Sequence, residues 1–166
     1  FSKGDPSPRD MLLIGQMEVF QGNLAGADSI YDAIIAHDST SGDARFAMNE
    51  KGKLQFRQKN YPGTLAAMQR RIALDPNSGE AYYYIGLSYK EMKQYEDALT
   101  ALRRAAAIDT AKADRHFFLG ILYAQQDSVP QARAALLRSV ELDSTSKNAG
   151  VAQRQLGFYR LLEKDW

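Results

Sequence analysis

The sequence predicts an all-α protein assembled from helix pairs in tandem, and three observations carry that reading. Ala and Leu together number 40 of the 166 residues, against 17 for Val, Ile and Thr, a balance that favours helix over sheet. Glycines at 15, 52, 86 and 120 recur at spacings of 37, 34 and 34, and self-similarity at a fixed period of this length marks a repeat array. Around the glycines, apolar residues fall at helical intervals, as in Tyr82, Ile85 and Tyr89 followed by Ala98, Leu102 and Ala105.

The other columns follow from that register. Ile14, Lys51, Ile85 and Leu119 precede the glycines directly. Twelve residues after each glycine stands a small residue, Ala27, Thr64, Ala98 or Ala132, and four further on a large one, Tyr31, Met68, Leu102 or Leu136. Each unit closes on an aspartate: Asp38, Asp75, Asp109 and Asp143. Small residues let two helices approach closely. Asn23, Asn60 and Ser128 are placed to cap second helices, with Pro62 and Pro130 suited to a first turn. The Asp75-Pro76-Asn77-Ser78 run reads as a loop between units. Helix pairs are therefore expected at about 8–21 and 24–37, 43–58 and 61–74, 79–92 and 95–108, 113–126 and 129–142. The three extra residues between the first two units fall in the Ser39–Asp43 loop. After Asp143, residues 145–164 read as one more amphipathic helix. Leu156-Gly157 repeats the Leu-Gly step, and Asp165-Trp166 looks like a following turn.

These columns resemble the tetratricopeptide repeat, a 34-residue helix–turn–helix unit. The third unit carries the likeness best, at Tyr82, Ile85, Gly86, Tyr89, Ala98, Leu102 and Ala105. The fourth follows at Leu119, Gly120, Tyr123, Ala132 and Leu136, and the first at Ile14, Gly15, Gly22, Ala27 and Tyr31. The second departs from the pattern at Lys51, Gln55 and Arg71, and the family's terminal Pro survives only at Pro76. The resemblance implies a right-handed α-solenoid. Its parts are an N-terminal extension (1–7), four repeats (8–41, 45–78, 79–112, 113–146) and a terminal capping helix or truncated fifth repeat (147–166).

Chemistry is sparse. With 21 Lys plus Arg against 20 Asp plus Glu, the net charge is +1, so no global field grips a nucleic acid or an anionic membrane. No Cys is present, which removes thiolate nucleophiles and Cys-built zinc sites and fits cytoplasm and bacterial periplasm equally. No apolar stretch reaches membrane-spanning length. No dinucleotide, phosphate, zinc-protease or serine-hydrolase motif occurs. His37 near a helix end and His116 in a large-residue column read as structural, and Asp28 with Asp32 as a solvated helical pair. No enzyme, cofactor or metal is expected.

The resemblance places binding on the first helices of successive units, at positions three before the glycine and one and four after it. In the first unit the leading two hold Leu12 and Gln16. Beyond it these positions hold Asn49, Lys53 and Phe56, then Tyr83, Leu87 and Lys90, then Phe117, Ile121 and Ala124. The expected groove is polar and basic at the second unit and apolar over the third and fourth. A partner covering roughly 300–400 Å² of that strip gains about 8–10 kcal/mol gross, against an association cost of about 4–15 kcal/mol, which points to micromolar binding. Family members that clamp chaperone carboxylates need cations and Asn where this chain has Leu12, Gln16, Glu50, Asp114 and Phe118, so that ligand is disfavoured. Lys51, Lys53, Arg57, Lys59, Arg70 and Arg71 form an acid-free run over 51–71, read as a solvated face or as steering for an acidic peptide. The expected partner is a protein or peptide. The alternatives are self-association through the terminal helix at Phe158 or Leu162, and a positioning role beside another domain.

Overall fold

A computed structural model of the chain describes residues 6–162. Among them are nine α-helices and no strand: α1 (Pro8–Gln21), α2 (Leu24–His37), α3 (Gly42–Arg57), α4 (Tyr61–Leu74), α5 (Gly79–Glu91), α6 (Tyr95–Ile108), α7 (Ala113–Gln125), α8 (Val129–Leu142) and α9 (Lys147–Leu162). The fold is all-α, of antiparallel helix pairs in tandem. The expected turn at Asp165 and Trp166, and the side chain of Leu162, lie outside the described residues.

Local chemistry explains the boundaries. Ser7 and Asp10 close a reciprocal capping box at α1. Asn23 and Asn60 accept from the backbone N–H groups of Gly26 and Gly63 at 3.1 and 3.2 Å, satisfying donors that a helix start leaves orphaned. Ser128 holds the same place at α8 without a side-chain cap bond. Seven residues after each repeat glycine the chain turns through left-handed backbone. Gly22 (φ 85°) does so in the first unit, where the later units use Lys59 (60°), Lys93 (63°) and Asp127 (54°). Only the first avoids the steric cost of a Cβ in that region.

The repeat glycines are where paired helices meet. A Cβ built on Gly15 would lie 2.7 Å from Tyr31 Cε1, on Gly86 2.6 Å from Leu102 Cγ, and on Gly120 2.7 Å from Leu136 Cγ; on Gly52 it would collide with Met68 Cε. The large residue of the second helix thus rests directly on the backbone of the first. At Gly157 nothing lies within 4 Å.

Contacts divide the chain into two compact units, one ending at Tyr84 and the other starting at Ile85. The first centres on Leu12, Ala27, Tyr31, Ile34, Met48 and Leu54. The second contains a cluster of Phe117, Ala132, Leu136, Ala152, Leu156 and Tyr159, through which α9 docks on α7 and α8.

Candidate functional site

In the first unit the expected groove positions of α3 carry a closed polar node. Lys53 Nζ lies 2.9 Å from Glu50 and 2.8 Å from Glu80, and Asn49 Nδ2 donates to Glu80 at 2.9 Å. Hydrogen bonds and ion pairing to those two carboxylates outweigh desolvation and raise the lysine's pKa. Asn49 Oδ1 and the Tyr31 hydroxyl are buried without a hydrogen-bond partner, and burial pushes that phenol up to about 12. Phe56 packs its ring against Tyr61 and Tyr84 at 5.7 and 5.6 Å.

The apolar strip expected over the third and fourth units is not open wall. Tyr83, Leu87 and Phe117 are only 7 %, 7 % and 6 % exposed. For Phe117 the reason is plain: Ala152, Leu156 and Tyr159 of α9 and Leu136 of α8 close over it, with Ile121 and Ala124 half-buried against the same cluster. Tyr83 stacks edge-on with Tyr84 at 5.4 Å. Lys90 pairs with Glu91 at 2.7 Å. A partner gains almost nothing from surface already out of water.

The basic run of residues 51–71 is likewise tied down in part. Lys51 bridges Asp28 and Asp32 at 3.0 and 2.6 Å, and Arg71 pairs with Asp75 at 2.9 Å. Asp28 also accepts from Gln55, whose amide oxygen accepts from Asn60. So two of the three residues that break the repeat pattern, Lys51 and Gln55, are joined in one network with Asp28 as its hub. His116 sits half-buried with Nε2 3.1 Å from the Thr110 carbonyl. Among the described residues no three His, Asp or Glu gather to hold a metal ion, and no helix is long and apolar enough to cross a membrane.

The surface that stays open lies at the first repeat. Between α1 and α3 a hollow of about 470 Å³ is lined by Arg9, Leu12, Leu13, Gln16, Gly42, Asp43 and Phe46. It joins the first unit's own groove positions, Leu12 and Gln16, to Phe46, which is 42 % exposed. One acid and one base stand at its rim. In the second unit, the same register continued onto α9 puts Phe158 and Leu161 one and four after Gly157, 53 % and 64 % exposed. The sequence columns include Leu12 and Gln16, and Phe158 reads from sequence as a self-association residue; Phe46 is missed because it stands six residues before its glycine, outside those columns.

Comparison with known proteins agrees with this architecture. A TPR repeat model matches residues 86–127 and a tetratricopeptide repeat model matches residues 68–100. No curated protein sequence matches the chain. Among solved structures, MamA of Desulfovibrio magneticus superposes with a TM-score of 0.72 at 22 % identity, over 85 % of this chain and 78 % of that one. A tetratricopeptide repeat protein from Parabacteroides merdae gives 0.77 at 16 % identity, over 90 % and 58 %. The TPR domain of Arabidopsis OM64 gives 0.63 at 20 % identity, over 69 % and 94 %. At these identities the structures speak for the fold alone. The two repeat models together span residues 68–127, and the fold is that of the tetratricopeptide-repeat solenoids, with four helix pairs followed by a further helix among the described residues.

Proposed function

We propose that the chain recognises a peptide segment of another protein without catalysing a reaction, and that the hollow between α1 and α3 receives the peptide's apolar anchor. The fold is that of a protein-interaction scaffold, since stacked helical repeats present extended surfaces to partners. The observation that carries the finer reading is the hollow itself. Leu12, Leu13 and Phe46 offer apolar walls, and Gln16, Arg9 and Asp43 stand beside them as polar groups that can orient a backbone. Asn49 and Lys53 extend the same row along α3, where Glu50 and Glu80 already compensate the lysine. With two carboxylates around one lysine that node is net negative, so it favours a basic group of the partner over an acidic one.

Selection of a random peptide library on the purified chain tests this. The expected outcome is micromolar peptides sharing a large apolar residue, with affinity lost in Phe46→Glu and retained in Lys90→Ala. Selected peptides indifferent to Phe46, or none at all, would refute it.

A further inference from the structure

The outer face of α1 is apolar. Leu13, Met17 and Phe20, at i, i+4 and i+7, form one stripe and are 58 %, 59 % and 95 % exposed, with Ile14 flanking at 40 %. The opposite face of α1 is already buried through Leu12 and Gly15. A helix apolar on both faces is a buried helix. The internal repeats agree: Leu54 and Leu122, the counterparts of Met17, are 2 % and 0 % exposed. The charges of α1 do not interrupt the stripe. Arg9 and Asp10 lie in the first turn, and Glu18 is turned onto the start of α2, where it accepts from the Asn23 amide.

We infer that this face is a dimerisation surface, on which α1 packs antiparallel against α1 of a second copy of the chain about a two-fold axis. The stripe is self-complementary under that operation. Leu13 meets the partner's Phe20, Phe20 meets the partner's Leu13, and Met17 lies next to the axis, as an isologous interface requires. The area suffices. Taking roughly 200 Å² for a fully exposed large apolar side chain, the four exposures leave about 500 Å² bare per copy. Two copies bury about 1,000 Å², the size a specific interface must reach. With a net charge of +1, no long-range repulsion keeps copies apart. Helix α9 is a poorer candidate: Phe158 and Leu161 share its exposed surface with Arg154 and Arg160, which would face like charges across a two-fold axis. The two surfaces share Leu13, so the tests use residues that only one of them contains: Met17 and Phe20 for dimerisation, Phe46 for peptide recognition.

The test is sedimentation velocity of the full chain over a wide concentration range. Wild type and Phe158→Glu are expected to form dimers, and Met17→Glu and Phe20→Lys to weaken association by at least about 10-fold with unchanged helical circular dichroism. Because the chain has no Cys, Met17→Cys supplies a second readout: it should cross-link two copies through a disulfide under mild oxidation, and Phe158→Cys should not. A wild type that stays monomeric, a dimer that survives both charge substitutions, assembly growing past the dimer, or failure of Met17→Cys to cross-link would each overturn the inference.

Discussion

The two compact units hold the same helix-pair motif together by different means. In the unit ending at Tyr84, the column before the repeat glycine contains Lys51, and the helices there are joined by Lys51, Asp28, Asp32 and Gln55. In the unit starting at Ile85, the same column contains Ile85 and Leu119, 7 % and 9 % exposed, over second helices anchored by Leu102 and Leu136, both at 0 %. What both units keep is the glycine facing a large residue. That pair sets the spacing of the helices, and the neighbouring column tolerates charge so long as its partners come with it.

Three substitutions and one titration sharpen that contrast, in falling order of effect. Leu136→Ala removes a fully buried side chain and is expected to lower stability by about 2–5 kcal/mol, independently of salt. Lys51→Leu restores the apolar type found in the other units yet leaves Asp28 and Asp32 without their cation. It should cost roughly 1–3 kcal/mol, part of which returns when Asp32→Ala is added; a stabilised single variant would break the comparison. Lys93→Gly relieves left-handed backbone at φ 63° and should gain about 1 kcal/mol. Acid should act on both units, because Asp38 and Asp75 in one and Asp143 in the other each accept the backbone N–H two residues on. Asp38 accepts from the Thr40 hydroxyl and N–H, Asp75 from Arg71 and the Asn77 N–H, and Asp143 from the Thr145 N–H and hydroxyl; each is held below its ordinary value of 3.8. A depressed carboxylate contributes stability that is full above the ordinary value and is lost as pH falls through it towards the lowered one. Melting temperature is therefore expected to hold at neutral pH and to fall below about pH 4.

Much of this was legible in the sequence. The glycine register, the small and large columns, and the Asn23 and Asn60 caps are local features, and the helices begin and end within about two residues of the positions they imply. Exposure was less legible. Tyr83, Leu87 and Phe117 occupy groove positions by register yet are buried, and the α9 residues packed on Phe117 lie outside its own repeat. The basic run from Lys51 to Arg71 looked unopposed because its acids come from elsewhere: Asp28 and Asp32 from α2, Glu80 from α5. The bare stripe on α1 was written in Leu13, Met17 and Phe20, and only their difference from the buried counterparts in later units shows it to be unusual.

The central claim is that the glycine and large-residue pair locks each helix pair and that α9 has no such partner. Thermal unfolding of Gly120→Ala beside Gly157→Ala tests it most directly. At Gly120 the new methyl would press on Leu136 Cγ at 2.7 Å and on its backbone N at 3.1 Å, so overpacking of about 1–3 kcal/mol should outweigh the helix-propensity gain. At Gly157 nothing is within 4 Å, and Ala should stabilise by up to about 1 kcal/mol. Opposite signs are predicted; equal shifts at the two positions would contradict the account.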